Sequence, residues 1–246
     1  MSFNPNPSTV TRTRVDTAEI DAGLRQYMLR VYNYMALGVA FTGAVSLFVA
    51  STPQILFAVA GTPLFWGVFL GILGLGWFAP RLMMSGSVAT AQICFWIYAA
   101  LWGIGIAPML YFVGVQQGAP EDVARAFFIA TATFGGMSLL GYTTKKNLSA
   151  FGTFFAMATI GLLIAILVNA FLVQSWGFEL ILSIGVVLVF SALTAYETQM
   201  IKNMYYESDG SDVATRKAIF GAFMLYGSFV TLFIWILNLL SLLRGE

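Results

Sequence analysis

Glu197 closes an unbroken run of seventeen uncharged residues, Leu180 to Tyr196, and is followed by the short polar string TQMIKN. An ionisable side chain at the end of a segment able to reach deep into a bilayer is costly there, and such groups mark ion pathways, proton relays or gates. The residues around it are spaced to reinforce it. Ser183, Phe190, Thr194 and Glu197 stand at offsets 0, 7, 11 and 14, one face of a helix. Ser228, Thr231, Trp235 and Asn238, at offsets 0, 3, 7 and 10, make a second stripe. If the two stripes face each other, they line a polar seam closed at one end by Glu197. Arg81 is the nearest basic residue by topology that could pair with it, with Lys202 a snorkelling competitor. A carboxyl held between burial and an arginine can titrate near neutral pH, which suits a gate or a pH-sensing latch. The bland alternative is that Glu197 snorkels to the headgroups and does nothing specific.

The elements that must position these residues follow from composition. Hydrophobic residues make up 59% of the 246 positions and charged residues 9%, against about 25% charged in a soluble domain. Such a chain cannot cover a water-facing surface, and the lipid bilayer is its first partner. A net charge of +1 with no basic stripe argues against nucleic acid. With no histidine and one cysteine, Cys94, the sequence holds no His-based triad, no thiol–imidazole metal site and no intrachain disulfide. It also lacks HExxH and GxSxG, so no enzyme and no resident cofactor are expected.

Seven stretches reach the ~20 residues a crossing needs, near 31–51, 56–79, 88–112, 123–143, 150–173, 177–200 and 218–243. The second is interrupted by Pro63 and several glycines and could instead be an interfacial piece, Gln54–Gly61, followed by a shorter crossing. Ten of the twelve basic residues fall on one side of this alternation; only Arg125 and Arg244 fall on the other. The positive-inside rule then puts the N-terminus in the cytoplasm and the C-terminus outside. The expected fold is an all-α integral membrane protein: a polar cytoplasmic tail over 1–30 and a seven-transmembrane-helix bundle over 31–243. Close packing is expected at small residues. The candidates are the Gly67/Gly71 pair and the face carrying Thr131, Gly135, Ser138 and Tyr142.

Four strings carry a family likeness: LRQYMLRVYNYMALGVAFTG (24–43), GYTTKKNLSAFG (141–152), ALTAYETQMIKN (192–203) and GAFMLYGSFVTLFIWILNLL (221–240). In this order, over nearly the whole chain, they resemble the Bax inhibitor family in its bacterial YccA-like branch. The resemblance implies a multi-pass protein of the bacterial plasma (inner) membrane that leaks calcium or other cations in a pH-dependent way. In the family's proposed mechanism a pair of acids on the last two helices shares a proton and latches the pore, and an arginine near the end of span two holds or releases it. Glu197 matches the first acid and Arg81 the arginine.

The second acid is absent. Where the family's last span usually reads Leu-Tyr-Leu-Asp-Phe, this chain has Leu225, Tyr226, Gly227, Ser228 and Phe229. Ser228 takes the Asp position, Thr231 stands where Asn is common, and Asn147 replaces an Asp after the two lysines. Two close carboxylates gain their pH response from mutual repulsion; a Glu–Ser pair has none, and offers calcium one charged ligand. The leak implied here is therefore of protons or monovalent cations as readily as of calcium. The alternative is a non-conducting regulator that binds another membrane protein, such as a quality-control protease, with Met1–Arg25 as the natural contact.

Overall fold

The computed structural model describes the backbone of residues 7–244 and the side chains of residues 22–244. Of the N-terminal tail expected over 1–30, residues 1–6 and the side chains up to residue 21 lie outside that description. The elements are helices throughout: α1 (Pro7–Ser51), α2 (Pro53–Ala60), α3 (Leu64–Ser85), α4 (Val88–Tyr111), α5 (Pro120–Thr143), α6 (Gly152–Val168), α7 (Trp176–Asn203) and α8 (Ser211–Arg244). Wider π-type turns extend α4 through Gln116 and α6 through Val173. Among the described residues seven helical stretches are long and apolar enough to cross a membrane, one each in α1 and α3–α8.

Local sequence explains where the helices begin and end. Ser87 and Ser175 cap α4 and α7 by accepting from the backbone N–H of Thr90 and Phe178, satisfying donors that lipid cannot. Pro53 and Pro120 sit in the first turns of α2 and α5, where the missing N–H costs nothing. The second apolar stretch divides because Gly61, Thr62 and Pro63 interrupt the helical pattern, leaving the short α2 before α3.

The last helix forms the centre of the bundle. α8 packs against α1, α3, α4, α5 and α7, and its buried face alternates small and large residues, among them Ala218, Gly221, Ala222, Leu225, Tyr226 and Phe229. α6 lies at the periphery on α7 and buries only Phe155 and, in its terminal turn, Asn169. Large apolar side chains such as Trp77, Phe128, Leu172 and Leu188 point outward, as required where the surroundings are hydrocarbon.

Close helix contact falls on other glycines than the ones the sequence suggested. A Cβ added to Gly67 would meet nothing within 4 Å, and one at Gly71 would meet only the flexible end of Leu101. At Gly141 the added carbon would collide with the backbone carbonyl of Ala195 on α7, and at Gly103 with Val45 on α1, 2.7 Å away. The GxxxG spacing occurs where α3 meets α4 only through the flexible end of Leu101 at Gly71, so the pattern alone did not locate the closest contact. Gly141 opens one of the family-like strings and Ala195 lies within another, so their joint presence has a steric reason: α5 and α7 touch there.

Candidate functional site

α7 and α8 run antiparallel, because bonds between them join later residues of one to earlier residues of the other. At one end Ser228 donates to Glu197 Oε2 at 2.6 Å. At the other, Asn238 Nδ2 donates to Glu179 Oε1 and to Ser183 Oγ, each at 3.1 Å. Glu197 is 7% exposed and Ser228 2%, so the first bond is sealed inside the bundle. Eighteen residues separate the two carboxyls along α7, a rise of about 27 Å, close to the ~30 Å hydrocarbon thickness of a bilayer. Glu179 was not among the residues read as functional from sequence. It stands in the first turn of α7, where an acid reads as an ordinary helix-start residue.

Between these ends the seam is not polar. Thr194 donates to the Phe190 carbonyl at 2.8 Å and Thr231 to the Gly227 carbonyl at 2.8 Å. Each hydroxyl is satisfied by its own helix, the usual solution where no water is available. Leu182 and Val186 are buried on α7 and Val187 and Phe190 pack into the core. The continuous polar lining expected from the stripes is thus corrected to two polar ends with an apolar middle.

Arg81 is not brought to Glu197. Ala79 and Met83, four residues apart, take the fully buried face of α3. Arg81 lies two positions from each, about 200° around the helix, and is exposed. It takes part in no salt bridge found among the described residues. Lys202 is also occupied elsewhere: its Nζ donates to the Tyr142 carbonyl at 2.9 Å and sits 4.9 Å from that ring's centre.

A second buried cluster adjoins Glu197. Tyr32 Oη and Ser138 Oγ are 2.7 Å apart, Ser138 Oγ and Thr198 Oγ1 are 3.0 Å apart, and Thr198 donates to the Thr194 carbonyl at 2.8 Å. This hydroxyl chain joins α1, α5 and α7 beside the Glu197–Ser228 contact. Tyr226, on α8 near Ser228, is fully buried and its hydroxyl lies 2.6 Å from Thr42 Oγ1 on α1, which donates to the Ala99 carbonyl of α4 at 2.9 Å.

Polar residues at the same end hold the loops. Gln199 spans the α5–α6 connection: its Nε2 donates to the Lys146 carbonyl at 2.9 Å and its Oε1 accepts from Leu148 N–H at 2.7 Å. Arg216 donates to the carbonyls of Met84 and Gly86 at 2.8 and 2.7 Å, fixing the end of α3 to the start of α8. At the opposite end Arg244 bonds Asp122 at 2.7 Å and Glu121 at 3.0 Å, which compensates the buried Asp122 carboxylate. Replacing Gln199 by Ala removes both loop bonds, worth about 1 kcal/mol net. Trypsin cleavage at Lys145 and Lys146 of the purified protein is expected to accelerate roughly fivefold. Unchanged cleavage would mean the loop is held by other contacts.

The fold and site define an all-helical, multi-pass membrane protein whose last two spans are joined at one buried carboxyl. Residues 24–245 match the family described as inhibitor of apoptosis-promoting Bax1, and the chain belongs to that family. It is 38% identical over 234 residues to an uncharacterised protein of Rickettsia prowazekii, covering 94% of this chain and 97% of that one. It is 40% identical over 230 residues to an uncharacterised protein of Caulobacter vibrioides, covering 89% of each. It is 34% identical over 221 residues to the inner membrane protein YbhL of Escherichia coli, covering 89% of this chain and 92% of that one. The chain is thus a homologue of a bacterial inner membrane protein.

Proposed function

We propose that this protein is a proton-gated cation leak of the bacterial inner membrane, with its basic end in the cytoplasm and the Glu197–Ser228 contact as the latch. The observation that carries this reading is the 2.6 Å bond from Ser228 to the buried Glu197 carboxyl. It is the polar tie between α7 and α8 at that end of the seam, and its strength depends on one proton. An ionised carboxyl sealed from water with one hydroxyl as its partner is costly, and that cost is relieved when the helices part and water reaches it. The closed contact is therefore tightest with the proton on Glu197, and the leak rises as pH rises. The apolar stretch of Leu182, Val186 and Phe190 acts as a constriction that stays dry until the helices part. One carboxylate in the latch gives divalent cations little advantage, so protons and monovalent ions are the expected traffic and calcium a minor one.

The test is flux through the purified protein in liposomes, followed with proton, sodium and calcium indicators between about pH 6 and 8. Flux that grows toward pH 8 supports the reading, and flux that grows toward pH 6 or the absence of any flux sinks it. The apolar packing between the two polar ends favours a second reading, a non-conducting regulator that contacts another membrane protein through residues 1–25. That reading fails if deleting residues 1–20 leaves every partner captured by cross-linking unchanged.

A further inference from the structure

A groove of about 550 Å³ runs between α1 and α5, lined by residues that include Arg25, Met28, Tyr32, Gly135, Ser138 and Tyr142. Its position between two candidate spans makes it face the hydrocarbon rather than water. No acid lines it, and its one charged residue, Arg25, stands at the basic end, where Arg30, Lys145 and Lys146 are also exposed. Of the three hydroxyl-bearing residues on its wall, Tyr32 and Ser138 are paired with each other at 2.7 Å, and the rest of the lining apart from Arg25 and Tyr142 is apolar, so the groove asks for an apolar occupant below a cationic mouth. Gly135 keeps it open: a Cβ there would meet nothing within 4 Å.

We propose that this groove binds an anionic glycerophospholipid of the surrounding bilayer, one acyl chain lying against Gly135 and Ser138 and the phosphate on Arg25. A protein helix is too thick for the space. A single helical turn with its side chains occupies roughly 500 Å³, so the groove would take one turn of a partner and no more. An acyl chain is narrower and long enough to follow the groove. Basic pockets between transmembrane helices at the cytoplasmic side are recognised lipid-headgroup sites by the same electrostatics. The site is independent of whether the protein conducts.

Native mass spectrometry of the delipidated full chain, titrated with phosphatidylglycerol or with phosphatidylcholine of the same acyl composition, tests it. Phosphatidylglycerol is expected to bind about fivefold more tightly, the preference one arginine supplies near a membrane surface. Arg25→Gln should remove that preference while Arg30→Gln, at an exposed arginine outside the groove, retains it. Gly135→Leu fills the groove and should weaken both lipids at least tenfold. Equal binding of the two lipids by the wild type overturns the proposal, as does equal loss in the two arginine variants. Lipid binding that survives Gly135→Leu also overturns it, and so does a homodimer that Gly135→Leu dissolves without changing lipid binding.

Discussion

Replacing Glu197 by Gln is expected to lower cation flux at pH 8 about tenfold and to make it independent of pH between about 6 and 8. Glutamine has the shape of glutamate and keeps an oxygen able to accept from Ser228, so the 2.6 Å contact can persist without leaving a buried hydroxyl unpaired. It removes only the charge. A buried polar group short of partners costs about 1–3 kcal/mol, more when it is charged, and the neutral amide is spared the cost of the charge. A difference on the order of 1.4 kcal/mol is a factor of ten in the ratio of latched to unlatched helices. The sign follows from the same comparison. The wild-type latch is tightest when Glu197 is protonated and weakens as pH rises, so its flux rises toward alkali. The variant is fixed in the tight form and should match the acidic wild type at every pH. Liposome flux compared across that range decides it: a Glu197→Gln protein that keeps the wild-type pH profile places the sensor elsewhere.

The apolar runs, the small loops between them and the positive-charge bias were legible because a bilayer imposes span length and charge placement directly on sequence. The stripes carrying Glu197 and Ser228 were legible from helical spacing, and the family likeness, which sets Ser228 where the second acid stands, suggested that the two face each other. Spacing along one helix, however, says nothing of which neighbour it meets. Arg81 could be placed at the correct end of α3 but not on the correct face, because that depended on Ala79 and Met83 turning inward. Thr194 and Thr231 have the right spacing for a polar lining, yet their hydroxyls turn back to their own backbones. The Tyr32–Ser138–Thr198 chain draws one residue from each of three helices, a register that no single stripe encodes. Gln199 had a signal that could have been used. It follows Glu197 by two positions in one family-like string and grips the loop formed by another.

Restoring the acid that the family places opposite Glu197 should steepen the pH control. In Ser228→Asp two carboxyls face each other across the contact that Ser228 now makes at 2.6 Å. Two such groups cannot both ionise at that separation without strong repulsion, so over the middle of the pH range the pair holds one proton between them. The shared proton is a charge-assisted O–H···O⁻ bond and latches α7 to α8 as firmly as the wild-type pair does. Acid leaves this pair neutral and still hydrogen-bonded. Alkali removes the last proton and sets two negative charges against each other, so flux should rise with pH more steeply than in the wild type. The same doubly ionised pair offers a hard cation two carboxylates instead of one. Calcium flux at pH 8 is therefore expected to exceed that of the wild type by at least tenfold, about 1.4 kcal/mol of added cation preference. Sodium should gain less, because its single charge is attracted half as strongly to the same pair. Calcium and sodium fluxes through the variant at pH 6 and pH 8 provide the measurement. A Ser228→Asp protein that folds and conducts but opens toward acid, or no more steeply toward alkali than the wild type, would show that the α7–α8 contact does not set the response, and the single-carboxyl latch would fall with it.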